Sequence, residues 1–250
     1  RRVFHGDHVL VRVSGRDRRG RDEATIAEVI ARNTQTVVGI YRQNNDEFAV
    51  LIPENSRISQ EVLIPHSASG GAQDGQVVSA RIVQQPETRK QPVGEVIEVL
   101  GERMDPGMEI GIAIRSYDIP DQFPPAVDEQ IASMSAEVAE DDKAKRIDLR
   151  HLPLVTIDDE SAKDFDDAIC AYQTKSGSWK LIVAIADVSH YVRPGSALDQ
   201  EALVRGNSVY FPGQVVPMLP ELLSNGLCSL NPAVDRLALV CEMNISKTGA

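Results

Sequence analysis

The chain has 250 residues, 42% of them hydrophobic and 25% charged, a composition typical of soluble globular proteins and sufficient for one or two domains. No apolar run is long enough to span a bilayer, no signal-type opening is visible, and Cys170, Cys228 and Cys241 lie far apart without any CxxC, which excludes a disulfide framework or zinc cluster and favours a reducing, cytoplasmic setting. The formal net charge of −11 argues at first sight against a nucleic-acid partner.

From the start of the chain, short Val- and Ile-rich runs at 8–13, 24–31, 35–42, 47–52, 61–64 and 76–83 alternate with turn-formers such as Asn44-Asn45 and Gly70-Gly71. Such spacing predicts a small β-barrel or sandwich. Two stretches repeat: GDHVLVRV from Gly6 leads through a polar loop to IAEVI, and GQVVSARIV from Gly75 leads through another to VIEVL. Each reads as strand, basic loop, strand. If these are equivalent strands of two successive barrels, residues 33–100 form a complete five-stranded barrel and 1–32 only the last hairpin of an earlier one. Two unrelated hairpins that look alike are the plainer alternative.

Five-stranded barrels of this size are of the oligonucleotide-binding type. Arg16, Arg18, Arg19 and Arg21 in the first basic loop, and Arg89 and Lys90 in the second, would suit phosphate contacts; solvated hairpin tips account for them equally well. Between residues 5 and 116, Tyr41 and Phe48 are the only aromatics, so base stacking here is sparse. His5 and His8 lack a third ligand nearby and read as ordinary strand residues.

Residues 101–146 read as a connector broken by Pro106, Pro120, Pro124 and Pro125. Val127, Ile131, Met134 and Val138 recur at helical spacing, which predicts an amphipathic helix over AVDEQIASMSAEV. The charged AEDDKAKR that follows reads as a solvated helix or loop.

The acidic excess is concentrated beyond this point. Residues 1–100 hold 13 basic and 13 acidic side chains, whereas residues 101–250 hold 13 and 24, with six acids against one lysine between Asp158 and Asp167. An apolar run, 152–157, predicts a strand ending at Asp158; Asp164, Asp166 and Asp167 follow. LIVAIADVSHYV then predicts a second strand, interrupted by Asp187. Massed carboxylates raise one another's pKa, and a divalent cation relieves that cost. Hard oxygen ligands suit Mg²⁺ or Mn²⁺, the usual equipment for phosphodiester hydrolysis. An EF-hand loop fails, because its Gly and Glu positions hold Lys163 and Ile169. A phosphotransferase would want DxDx directly after the strand. A solvated acidic loop capping a helix remains the competing reading.

VTIDDESAKDFDDAI, LIVAIADVSHYV, RGNSVYFPGQVVPMLP and LSNGLCSLNP, in this order, closely resemble the catalytic domain of the ribonuclease R / ribonuclease II family. The resemblance covers 147–250, and the barrel region in front is similar to that family's tandem cold-shock domains. It implies an α+β multidomain chain: 1–32 the C-terminal hairpin of a first cold-shock domain, 33–100 a second cold-shock (OB-fold) β-barrel, 101–146 a connector with a helix, and 147–250 the N-terminal part of an α/β RNB catalytic domain. The implied activity is processive 3′→5′ hydrolysis of single-stranded RNA to nucleoside 5′-monophosphates with Mg²⁺, in the cytoplasm, with no membrane partner and no oligomer indicated.

By the same resemblance Asp158 and Asp167 are direct Mg²⁺ ligands and Asp164 and Asp166 complete the metal site, with Asp166 the residue whose loss stops chemistry while sparing binding. Tyr210 falls on the tyrosine that clamps the 3′-terminal nucleotide by stacking. The chain departs from the family pattern in lacking the downstream arginine that helps stabilise the transition state, and in reducing the aromatic-rich barrel signature to DEFAVLIP. An RNA-binding fragment without turnover is therefore the alternative, and a calcium-stabilised acidic domain a third reading.

Overall fold

The computed structural model describes residues 2–45 and 47–249. Contacts divide the chain into two units, Arg1–Ile119 and Pro120–Ala250.

The first unit begins with an antiparallel hairpin, β1 (His8–Arg16) and β2 (Asp22–Ala31). Its alternation has nothing to pack against among the described residues, so Leu10, Val11, Val13 and Ile30 are exposed. Next comes a closed barrel of β3 (Thr36–Gln43), β4 (Phe48–Pro53), β5 (Val62–Pro65), β6 (Gln76–Gln84) and β7 (Val93–Glu102), in the order β3-β4-β5-β7-β6. Alternate residues fill it: Val37, Tyr41, Ala49, Leu51, Val62, Ile64, Val78, Ala80 and Ile82. Each fully buried aliphatic side chain contributes about 1.5–3 kcal/mol. Gly39 sits where β3 crosses β4, and a Cβ there would stand 2.2 Å from the Ile52 carbonyl oxygen, so only glycine allows the crossing. Arg32 donates to the buried Asp7 carboxylate at 3.0 Å and to the Pro86 carbonyl, tying the segment before β1 to the barrel.

The stretch 101–146 is shared between the units. Helix α1 (Met108–Ser116) packs Met108 on Val38 and Val77 of the barrel. Helices α2 (Pro125–Ala132) and α3 (Glu140–Lys143) belong to the second unit. The sequence period predicts a longer α2, to Val138. Ser133 ends it sooner, because its hydroxyl donates to the Gln130 carbonyl at 2.7 Å and competes with the helical ladder. Val138 still reaches the core.

The second unit is built on a three-stranded antiparallel sheet in the order β12-β9-β8, from β8 (Asp167–Gln173), β9 (Trp179–Ala186) and β12 (Ala238–Ile245). One face, with Ala168, Cys170, Ile182, Ala184 and Ala186, is buried. Between β9 and β12 run α4 (Val188–Tyr191), α5 (Ala197–Arg205) and the hairpin β10 (Val209–Phe211)/β11 (Gln214–Val216). The core joins Val127, Ala186, Leu198, Leu223, Leu227 and Leu237.

Two further expectations need correction. Residues 152–157 do not form a strand: only Val155 pairs, with Ile169, by bonds of 2.9 and 2.8 Å. In that register Pro153 would face Ala171 without an N–H to donate. Asp187 does not interrupt β9 but follows it, at the start of α4. It is buried and accepts from Arg146 and Ser189 at 2.6 Å each. Burial alone would raise its pKa; the two hydrogen bonds and the guanidinium charge outweigh that and hold it below the ordinary carboxylate value. Asp187→Ala should cost about 2 kcal/mol in urea unfolding at neutral pH. Because the folded-state pKa is the depressed one, this contribution is complete above the unfolded value of about 3.9 and disappears as pH falls through the folded one, so parent and variant should converge in acid.

Candidate active site

The segment from Val155 to the first residue of β8 carries all four clustered aspartates. Asp158 stands after the lone bridge, Asp164 and Asp166 lie in the loop, and Asp167 opens β8 opposite Ile185. Asp159 is otherwise engaged: its carboxylate accepts the Ser161 amide at 3.0 Å and hydroxyl at 2.6 Å and closes a turn. That turn separates Asp158 from Asp164 and brings the chain back towards β8.

The loop is held mainly from the segment that precedes β12. Ser229 is fully buried; its hydroxyl donates to the Lys163 carbonyl at 2.8 Å and accepts the Phe165 amide at 3.0 Å. It thus grips the backbone on both sides of Asp164. The Leu230 amide donates to the Phe165 carbonyl at 2.8 Å, and the Ala186 amide to the Asp166 carbonyl at 2.9 Å. LCSLNP is visible as a motif in the sequence, but the role of Ser229 as a splint is not, since it depends on a contact between residues 66 positions apart.

Tyr210 reaches the same loop from the β10/β11 hairpin. Pro212 and Gly213 form its two-residue turn, with Gly213 at φ 78°, the pattern of a type II turn. At the base, Ser208 accepts the Met218 amide at 2.9 Å, and Arg205 donates to the Pro217 carbonyl at 3.0 Å. The Arg205 guanidinium also donates to Glu201 and the Gln122 carbonyl and lies 3.7 Å from the Phe123 ring centroid. On this support Tyr210 is 64% exposed, leaving its ring accessible, while its hydroxyl donates to Asp164 Oδ2 at 2.7 Å. That bond, then burial, raise the phenol pKa.

The electrostatics are those of concentrated negative charge. None of the four aspartates forms a salt bridge among the described residues. Asp158, Asp166 and Asp167 are exposed as residues and Asp164 is half-buried. Protein atoms nonetheless crowd the Asp166 carboxyl, and this desolvation, followed by the charges of Asp164, Asp167 and Asp158, pushes its pKa up. Burial pushes the nearby Cys228 thiol to about 12, with Asp166 and Asp187 adding to it, so Cys228 supplies no thiolate. The donor set is therefore all carboxylate oxygen, which suits a hard divalent cation. As the side chains stand, no three His, Cys, Asp or Glu groups among the described residues are gathered tightly enough to hold an ion. The loop assembles a patch of like charges within one another's field rather than a closed set of ligands.

The basic residues singled out from sequence lie elsewhere, at two turn tips of the first unit. Arg16 pairs with Asp22 at 2.9 Å, Arg21 with Asp17 at 2.8 Å and Lys90 with Glu87 at 2.9 Å. Arg18, Arg19 and Arg89 are exposed and form no salt bridge among the described residues. Arg89 occupies φ 66° in the turn between Glu87 and Lys90.

The closed five-stranded barrel has the architecture of the oligonucleotide-binding type, and the second unit carries the aspartate-bearing loop. Family comparison agrees: residues 51–124 match the cold shock domain and residues 146–250 the RNB domain. Over its whole length the chain is a homologue of part of ribonuclease R. It is 53% identical over 99% of its length to ribonuclease R of Vibrio parahaemolyticus serotype O3:K6, and 52% identical over 98% to that of Escherichia coli strain K12. In each case it spans 30% of the relative's length. The apo form of Mycoplasma genitalium RNase R superposes with a TM-score of 0.86 at 31% identity, covering 98% of this chain and 39% of that one. The same enzyme in complex with ribose methylated single-stranded RNA gives 0.86 at 30% identity, with the same coverage. The fold also recurs in yeast Ssd1, a pseudonuclease, with a TM-score of 0.70 at 18% identity, so fold alone does not carry catalysis.

Ser229→Ala removes both bonds flanking Asp164 and should cost about 1–2 kcal/mol. Amide hydrogen exchange of the Phe165 N–H should accelerate in this variant while the β9–β12 ladder stays protected.

Proposed function

We propose that the chain is part of a 3′→5′ exoribonuclease that hydrolyses single-stranded RNA processively to nucleoside 5′-monophosphates, with Asp158, Asp164, Asp166 and Asp167 as its catalytic carboxylates. The observation that carries the reading is the position of Tyr210: an exposed aromatic ring is bonded through its hydroxyl to the loop that masses four carboxylates without a salt bridge among the described residues. Homology to ribonuclease R supports the same reaction and the same RNA substrate.

The residues divide the work as follows. Tyr210 offers its ring to the terminal base, an interaction worth about 1–3 kcal/mol and indifferent to sequence, as a processive enzyme requires. Asp158 and Asp167 would hold a divalent cation, Mg²⁺ by preference and Mn²⁺ in its place, with Asp164 and Asp166 completing the site. A cation there supplies charge stabilisation to the phosphodiester and lowers the pKa of a bound water. Asp166, whose proton affinity is raised by desolvation and then by the charges of Asp164, Asp167 and Asp158, would be the carboxylate suited to orient the attacking water and accept its proton. The exposed Arg18, Arg19 and Arg89 offer phosphate contacts along the incoming strand. The three cysteines are all unpaired, which fits a reducing, cytoplasmic compartment. No helix among the described residues is long and apolar enough to cross a membrane.

Asp166→Asn, in the whole protein, should abolish release of mononucleotides from 3′-labelled RNA and leave RNA affinity within about twofold of the parent. Retained hydrolysis would refute the assignment. Removing the charges of Arg18 and Arg19 together should weaken RNA binding and flatten the dependence of log K on log salt by about 1.4, at roughly 0.7 per single-strand phosphate contact. An unchanged slope in a salt titration would remove that hairpin tip from the RNA path.

A further inference from the structure

The ring of Tyr210 is accounted for by base stacking; its hydroxyl is not. A stacking platform needs no polar group, and a phenylalanine would serve. Yet the hydroxyl donates to one oxygen of one clustered aspartate, Asp164 Oδ2, at 2.7 Å, with the Ser208 side chain beside it as a second partner. The bond spans 46 residues and joins two separately built elements, the β10/β11 hairpin and the aspartate loop. It is also charge-assisted, which makes it among the stronger neutral-donor bonds available.

We propose that the Tyr210 hydroxyl is a positioning group for the divalent cation: by holding Oδ2 it fixes the orientation of the Asp164 carboxylate at the cluster. One residue thereby couples the nucleotide clamp to the cation site. This inference rests on the cation reading given under Proposed function. Three features support it beyond the bond itself. The Asp164 backbone is already immobilised by Ser229 through Lys163 and Phe165, so the side-chain rotamer is the freedom that remains to be fixed. No cation of the protein competes for that carboxylate among the described residues, so the phenol is its one named side-chain partner. The hairpin beneath Tyr210 is itself anchored, through Ser208, Met218, Arg205 and Pro217, so the hydroxyl is delivered from a firm base. Groups that orient a ligating side chain typically change metal affinity by about 10–100-fold when lost.

The coupling makes Tyr210 separable into two functions. Tyr210→Phe keeps the ring and removes the hydroxyl; Tyr210→Ala removes both. In the 250-residue chain, Mn²⁺ alone is titrated by electron paramagnetic resonance, and a fluorescent single-stranded oligoribonucleotide is titrated separately without metal. Tyr210→Phe should weaken Mn²⁺ by about tenfold and leave oligonucleotide affinity within about twofold, whereas Tyr210→Ala should weaken both. A merely structural tyrosine would not produce this split, and since Tyr210 is exposed, neither variant disturbs a core. Unchanged Mn²⁺ affinity in Tyr210→Phe overturns the proposal. Tighter Mn²⁺ binding overturns it too, since the hydroxyl would then be competing with the ion for Asp164. An Asp158→Asn, Asp167→Asn double variant separates the two levels. If it binds Mn²⁺ like the parent, the cation reading itself has failed; if it loses Mn²⁺ while Tyr210→Phe does not, only the hydroxyl's role has failed.

Discussion

Four carboxylates on one short loop repel one another, and the second unit is organised around restraining them. At Asp166 burial among protein atoms, and after it the charges of Asp164, Asp167 and Asp158, raise the pKa. The restraint comes from outside the loop. Ser229 and Leu230 clasp its backbone from the segment before β12, Ala186 from the end of β9, and Tyr210 holds a side chain from the β10/β11 hairpin. The end of β9 and the segment before β12 are anchored in the apolar core through Ala186, Leu227 and Leu237, and the hairpin is tied at its base by Arg205 and Ser208. Folding energy gathered from ordinary hydrophobic burial is thus used to hold an electrostatically unfavourable patch in place, as preorganised sites require.

What could be read in advance followed from local rules. Alternation and turn residues located the barrel strands to within a few positions, because each strand's pattern is set by its own neighbours. The four aspartates and Tyr210 stood out by motif. What the sequence concealed depends on contacts between distant positions. Residues 152–157 look like a strand by apolarity, but the register against Ile169 meets Pro153 and only one pair forms. The α2 period runs on to Val138, while a single Ser133 hydroxyl stops the helix earlier. Asp187 reads as a break within the second strand, yet it follows β9 and is buried against Arg146 as a structural ion pair. No local signal could assign Ser229 or the Tyr210 hydroxyl to Asp164.

Net charge is a further case in which an average misleads. Acidic residues outnumber basic ones, but many acids are already committed to arginines and lysines across both units, as in Arg32–Asp7, Arg81–Glu95 and Arg146–Asp187. The four clustered aspartates are different in having no such partner among the described residues, while Arg18, Arg19 and Arg89 are basic groups left open. Attraction for an anionic strand and tolerance for a cation therefore reside in separate, local features, and −11 describes neither.

The central proposal is that the aspartate loop, whose carboxylates among the described residues do not enclose an ion as they stand, takes up a divalent cation. Diffraction from a crystal soaked in Mn²⁺, with data at the manganese absorption edge, tests it most directly. The account predicts an anomalous peak within about 2.2 Å of carboxylate oxygens of Asp158 and Asp167, with Tyr210 still bonded to Asp164. A crystal with manganese bound only elsewhere, or a peak at the cluster accompanied by a released Tyr210, would contradict it.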